Sequence, residues 1–189
     1  MTAILKINIQ ELDTKFVEEL KSQFASSEVE IHVREQPLTP STLTINEFWD
    51  LIGLLDWSHE DDDSAIVAPL IDVLQKRPIA HIYRFEDILA EKLWHLDTKK
   101  HAKIFLDNPE EEGYLSVDDF LYTRCAVVAN GKEFYENVLK NPKKMPSDLT
   151  FEPLLYVAME AYKRKTGKEF MAVSAYNYET YSNKGGWKK

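Results

Sequence analysis

The chain has 189 residues, of which 44% are hydrophobic and 29% are charged, and its formal net charge is -9. This apolar content is enough for one buried core. The negative charge argues against nucleic-acid and anionic membrane partners, because both attract proteins rich in lysine and arginine. The single cysteine, Cys125, has an apolar context and excludes an intramolecular disulfide. We expect it to be buried and unreactive in a cytoplasmic protein.

The first 35 residues predict a β-α-β unit. Apolar and polar side chains alternate over residues 2–9 and again over residues 29–33, which is typical of strands. Between them, Asp13 can cap a helix. Its apolar residues recur four apart, at Leu12, Phe16, Leu20 and Phe24. Because two strands and one helix are not stable alone in water, we expect residues 1–35 to pack on a protein partner, on a second copy in a homo-oligomer, or on the rest of the chain.

The remainder of the chain predicts helices. Two prolines and three hydroxyl side chains mark residues 36–43 as a linker, and residues 44–189 form the helical domain. Thr44 and Glu47 have the spacing of a capping box. Further helix boundaries are indicated at Pro78, at Ser116 with Asp119, at Asn130-Gly131, and at Pro146-Ser147-Asp148, which would cap the last long helix. The expected fold is mainly α, a multi-helix orthogonal bundle with a small N-terminal β-α-β unit.

No cofactor or metal site is indicated. The five histidines form neither an HExxH nor an HxH pattern. The acidic run His59–Asp63 lacks the glycine and the alternating oxygen ligands of a calcium loop, and is typical of a helix N-terminus. The 6 glycines form no phosphate-binding loop. We therefore expect no cofactor and no metal.

One arginine stands out because it interrupts an apolar helix. Arg124 lies within residues 120–129 and is expected to point inward. An inward arginine usually answers a buried carboxylate, since an unpaired buried charge is costly. Asp87 and Glu91, one turn apart on an earlier helix, are the natural partners, and Tyr122 completes the candidate polar cluster. The cluster is either an ion pair of the core, which we favour, or the floor of an anion-binding pocket.

Tryptophan and tyrosine stand beside polar residues at several places in the helical part and its tail. Such side chains are frequent at recognition surfaces as well as in cores. The candidate interaction surface consists of Trp57, Tyr176, Tyr178, Tyr181 and Trp187.

Five motifs in the helical part are similar to those of one bacterial family. They are NEFWDLIGLLDWS (46–58), FEDILAEKLWHLDTKKHA (85–102), FLYTRCAVVANGKEFYENVL (120–139), MPSDLTFEPLLYVAMEAYKRKTG (145–167) and YETYSNKGGW (178–187). Residues 44–189 resemble the family catalogued as domain of unknown function 4240. The resemblance implies a shared helical fold and brings no activity or catalytic residue with it. Residues 1–35 resemble a prefix on some small bacterial antitoxin-type proteins.

Two functions remain open. The first is a non-enzymatic protein-interaction module, antitoxin- or immunity-like, whose acidic body binds a basic protein; the acid surplus and the lack of catalytic motifs favour it. The alternative is an enzyme or small-ligand-binding protein with a pocket formed by Arg124, Asp87 and Glu91. A solvent-open cavity lined by these residues would support the alternative, and an Arg124 paired inside a closed core would oppose it.

Overall fold

The computed structural model describes residues 12–25, 42–59, 62–106 and 115–188. The chain divides into two compact units, Met1–Pro37 and Leu38–Lys189.

The described part of the first unit is one helix. Helix α1 spans Thr14–Gln23, and Asp13 caps it as predicted, since its carboxylate accepts a hydrogen bond of 2.8 Å from the backbone N–H of Phe16. The strands predicted at residues 2–9 and 29–33 lie outside the described residues, as does most of the predicted linker. The β-α-β unit therefore stays a prediction.

The second unit is mainly helical in its described residues, which confirms the prediction of a mainly α fold. Its α-helices are α2 (Ile45–Ile52), α3 (Asp63–Leu74), α4 (Ile79–Leu96), α5 (Lys99–Leu106), α6 (Val117–Ala129), α7 (Lys132–Lys140), α8 (Val157–Thr166) and α9 (Lys184–Trp187). Two short 3₁₀ helices, Pro142–Lys144 and Glu152–Tyr156, lie between α7 and α8.

Several helix boundaries are set by local signals that the sequence shows. Ser116 accepts a hydrogen bond from the N–H of Asp119 at the start of α6, as expected of an N-cap. Helix α6 ends at Asn130-Gly131, where Gly131 has a positive φ of 90° that suits a residue without a side chain. Helix α4 begins directly after Pro78.

The last long helix begins later than predicted. We expected a cap at residues 146–148, but α8 starts at Val157, and the 3₁₀ helix Glu152–Tyr156 precedes it. The reason is a long-range contact. Phe151 is buried and has a non-helical backbone with φ -151° and ψ 71°, and its N–H donates to the carbonyl oxygen of Tyr122 at 3.0 Å. This contact keeps the preceding segment from continuing as a helix.

The capping box of α2 is formed as predicted. The hydroxyl oxygen of Thr44 accepts from the N–H of Glu47 at 3.2 Å, and the Glu47 carboxylate accepts from the N–H of Thr44 at 2.9 Å. The hydrogen bonds that the Thr44 N–H and the Thr44 hydroxyl donate to this carboxylate lower the pKa of Glu47.

We expect Thr44→Ala to lower the free energy of unfolding by about 1 kcal/mol, because the backbone N–H of Glu47 loses its acceptor, the Thr44 hydroxyl. Urea denaturation monitored by circular dichroism measures this change. Thr44→Ser is the control, since serine caps equally well, and its effect should stay within a few tenths of a kcal/mol. Equal losses in the two variants would contradict a capping role.

Helices α4 and α6 form the centre of the core. Helix α4 packs against α2, α6 and α8, and α6 packs against α4, α7 and the 3₁₀ helix Glu152–Tyr156. Every residue from Thr123 to Ala129 is buried, including Cys125, whose thiol pKa is raised by burial. This confirms the expectation that the cysteine is buried. The remaining candidate residues lie around this central pair of helices.

Candidate binding cleft

A cleft of about 420 Å³ opens to solvent on one side of the α4–α6 pair. Helix α4 contributes one residue, α6 contributes three, and the rest come from the 3₁₀ helix, α8 and the segment that follows α8. The lining residues are Glu86, Asp118, Leu121, Tyr122, Leu155, Tyr156, Met159, Phe170, Ala172, Tyr178 and Glu179. The lining thus combines three carboxylates and three phenol groups with apolar side chains.

Glu86 is the most unusual residue of the cleft. Its side chain is only 9% exposed, and within the described part of the chain it has neither a hydrogen bond nor an ion pair. Burial, together with the negative charge of neighbouring Asp87, raises the pKa of Glu86 to about 7. A buried carboxylate without a partner destabilises the fold. Residues of this kind in a cleft are candidates for function.

The sequence contains a signal for Glu86 that we did not use. Glu86 follows Ile82 by four residues and precedes Leu89 by three, so it shares the apolar face of α4 with them. Both of these neighbours are fully buried. We had grouped Asp87 and Glu91 as the carboxylates of interest on this helix. A carboxylate within the apolar stripe is the stronger anomaly, because its charge must enter the core or line a cavity.

The phenol groups around the cleft keep their protons at neutral pH. Burial raises the pKa of Tyr178 to about 12, and Glu86 adds to the shift. Partial desolvation and the Glu152 carboxylate raise the pKa of Tyr122. The hydroxyl of Tyr156 donates to the Glu152 carboxylate, which raises the pKa of Tyr156. These rings therefore present neutral aromatic faces.

Arg124 is buried as predicted, but its main contacts are not the predicted ones. Its guanidinium donates to the carbonyl oxygens of Leu93 at 3.0 Å and Tyr178 at 2.9 Å, and to the hydroxyl of Thr180 at 2.9 Å. A longer bond of 3.4 Å reaches the carbonyl of Phe120. Arg124 does not line the cleft, so the predicted pocket with Arg124 at its floor is not formed.

Asp87 and Glu91 were the two partners predicted for Arg124, and the observed ion pairs of Glu91 do not include Arg124. The Glu91 carboxylate lies 3.7 Å from the Lys92 ammonium and 3.6 Å from Nε2 of His95. Burial lowers the pKa of Arg124 to about 10, and among the carboxylates Asp97 does most to raise it again. Arg124 therefore stays charged at neutral pH, with Asp97 as its main electrostatic complement.

Asp97 is a buried residue that our sequence reasoning missed. Its carboxylate accepts hydrogen bonds from the N–H groups of Tyr181 at 3.1 Å and Asn183 at 2.9 Å. It also accepts from the hydroxyl of Ser182 at 3.3 Å and from the indole N–H of Trp187 at 2.7 Å. The available signal was its position directly after α4, since an acidic residue is unfavourable at a helix C-terminus unless other groups compensate it.

Arg124 and Asp97 together attach the C-terminal segment, residues 178–187, to the helical core. The segment has little regular structure apart from α9, and these two buried charges supply its main anchors. Because Tyr178 and Glu179 belong to both the segment and the cleft, the anchoring also builds one wall of the cleft.

The five residues of the predicted aromatic surface have different contacts in the structure. Of its five residues, only Tyr178 lines the cleft. Tyr181 stacks on Trp187 with ring centroids 4.4 Å apart, which helps to hold the C-terminal segment. Tyr176 packs against Trp94 at 5.3 Å.

Trp57 lies elsewhere, against Phe151 at 5.0 Å, and is 45% exposed. The structure thus brings Tyr178 together with Tyr122 and Glu86 and leaves the other aromatic candidates outside the cleft.

Comparison with known proteins gives one result. The model of the family described as "Protein of unknown function (DUF4240)" matches residues 43–164. The chain belongs to this family. No curated protein and no solved structure matches it significantly.

The DUF4240 match includes Glu86, Asp97 and Arg124, and it ends before the C-terminal segment that completes the cleft. Within the described residues, no helix combines the length and apolar character needed to cross a membrane. The family description states no function, so the functional argument depends on the residues of the cleft.

Proposed function

We propose that this DUF4240 protein is a non-enzymatic interaction module that binds a protein partner through the cleft. The observation that carries the proposal is Glu86, a residue that is only 9% exposed, lines a solvent-open cleft and has no hydrogen-bond or ion-pair partner within the described residues. Natural proteins keep such a destabilising group where a ligand completes its interactions.

The composition of the cleft supports binding. Its tyrosines combine an apolar ring with a polar hydroxyl, which is the combination enriched at protein interfaces. The net charge of -9 favours a basic partner. An antitoxin- or immunity-like role, in which an acidic protein covers a basic one in the cytoplasm, fits these properties.

An enzyme is the second candidate, favoured by the Glu86 pKa of about 7. A carboxylate with this pKa can act as a general base near neutral pH. Stabilisation of a developing oxyanion would also need a cationic or similar donor group. The described lining residues include no lysine, arginine or histidine, and Arg124 is occupied in the core. This composition favours binding over catalysis.

Site-specific photo-crosslinking in the native host tests the interaction role. Tyr156 at the cleft and Trp57 outside it are each 45% exposed, so they are matched positions for p-benzoylphenylalanine. We expect a discrete protein adduct from position 156 and not from position 57. Filling the cleft with Ala172→Trp should abolish that adduct. Equal adducts at both positions, or none at either, would contradict the proposal.

The N-terminal residues 1–35 form a second part of the proposal. We propose that they pair with a second copy of the chain or with the same partner, because a β-α-β unit is not stable alone. Light scattering of the full chain measures the oligomeric state. A strict monomer whose partner binding is unchanged by deletion of residues 1–35 would contradict this part.

A further inference from the structure

The charge of the cleft points to a positively charged occupant. Glu86, Asp118 and Glu179 all line it, and no lysine, arginine or histidine is among the described lining residues. The carboxylates therefore have no cation of the protein facing them within the cleft. Burial disfavours the charged form of Glu86 in the free protein, and a bound cation offsets this cost.

Glu86 gives the strongest indication within this group. It is only 9% exposed and lines the cleft, and it has no hydrogen-bond partner within the described residues. A carboxylate in that position can accept hydrogen bonds only from a group that enters the cleft. A charged donor would form the stronger hydrogen bond, because charge assistance roughly doubles its strength.

The apolar and aromatic lining indicates what the cation is attached to. Leu121, Leu155 and Met159 offer aliphatic surface, and the rings of Tyr122 and Phe170 stand beside it. Aliphatic stems of basic side chains pack on such surface, and aromatic faces attract cations. The lining thus suits a cationic head carried by a flexible alkyl chain.

A metal ion is the other class of cation, and the geometry does not suit it. Among the described residues, no three His, Cys, Asp or Glu side chains, including those of the cleft, are arranged to hold a metal ion. The carboxylates lie on different elements around an apolar wall. An organic cation, which spreads its donors over several acceptors, fits this distribution better.

We infer that the cleft binds a basic side chain, an arginine guanidinium or a lysine ammonium, presented by an exposed segment of the partner. This inference rests on the proposed interaction function and specifies the chemistry recognised at the same site. Glu86 accepts hydrogen bonds from the cationic head, and the aromatic and aliphatic residues contact its stem.

Titration with defined peptides tests the inference. The probes are three acetylated and amidated Gly-Ser-Xaa-Ser-Gly peptides, in which Xaa is arginine, lysine or citrulline. Citrulline keeps the shape of arginine and lacks its charge. We expect NMR titration of the full chain at pH 8 to show arginine and lysine peptides binding at least tenfold more tightly than citrulline. Shifts should concentrate at Tyr178 and Glu179.

Glu86→Gln should reduce the affinity for the basic peptides at least tenfold. Glu136→Gln is the matched control, because Glu136 lies on α7 outside the cleft, where it pairs with Lys140 at 3.4 Å. It removes the same charge and should leave affinity unchanged. Losses equal in the two variants would mean that only overall charge matters, and the inference would be overturned.

The outcomes separate the inference from the proposed function. If crosslinking places a partner at position 156 but citrulline binds as tightly as arginine, the interaction role stands and the cationic occupant is wrong. If no peptide binds and no adduct forms, the interaction role fails as well.

Discussion

Glu86→Gln is expected to raise the free energy of unfolding by about 3 kcal/mol at pH 8 and by much less at pH 5. The pKa of Glu86 is about 7 in the folded protein, compared with its ordinary value of 4.5. The folded state therefore holds a proton that the unfolded state has already released. The associated stability is fully present below pH 4.5 and is lost as the pH rises through about 7. Glutamine is neutral at every pH and avoids this loss.

Urea denaturation of both proteins at pH 5 and pH 8 measures the effect. Glu136→Gln serves again as the control, since its exposed carboxylate should give little difference between the two pH values. A stability change for Glu86→Gln that is identical at pH 5 and pH 8 would show that the carboxyl titrates normally. Together with the peptide titration, a gain in stability with a loss of binding would identify Glu86 as a residue retained for function.

Arg124→Met is expected to lower the free energy of unfolding by about 3–5 kcal/mol. The substitution leaves the oxygen atoms of Leu93, Tyr178 and Thr180 without their donor. It also removes the positive charge that complements the buried Asp97. Methionine keeps much of the volume, so the loss reports on hydrogen bonds and charge more than on packing.

Hydrogen exchange of the C-terminal segment distinguishes this anchoring from general destabilisation. We expect the amides of Tyr181 and Asn183, which donate to Asp97, to exchange faster in Arg124→Met, and amides within α4 to change less. Arg164→Met is the control, because Arg164 forms an exposed ion pair with Asp72 at 3.1 Å that is worth at most about 1 kcal/mol. Unchanged exchange of the segment in Arg124→Met would contradict its role as an anchor.

Features fixed within one helical turn could be predicted from the sequence. The caps at Thr44 and Ser116 and the end of α6 at Gly131 depend only on nearby residues, so their patterns were sufficient. The inward position of Arg124 followed from the apolar residues around it.

The partners of buried charges could not be predicted in the same way. Two acceptors of Arg124 lie 54 and 56 residues away, in a segment whose sequence has no regular period. One of these acceptors is a backbone carbonyl. Because every residue has one, the residue types do not show which carbonyl accepts the hydrogen bond. The pairing with Glu91 was wrong because helical spacing shows which residues share a face and not what covers that face. The position of Glu86 on the apolar face of α4 could have been predicted from helical spacing. The cleft beside it could not, because it depends on how the segment after α8 folds back.

The anchoring of the C-terminal segment has a consequence for the shape of the cleft. Asp97 and Arg124 hold the segment through backbone groups of Tyr178, Tyr181 and Asn183. They also hold it through the side chains of Thr180, Ser182 and Trp187. The segment also lies beyond residue 164, where the match to the family ends. One wall of the cleft therefore depends on these anchors. A tail that kept the anchoring groups but carried other side chains at positions 178 and 179 would line the cleft differently, whereas loss of the tail would expose Asp97 and Arg124 to water.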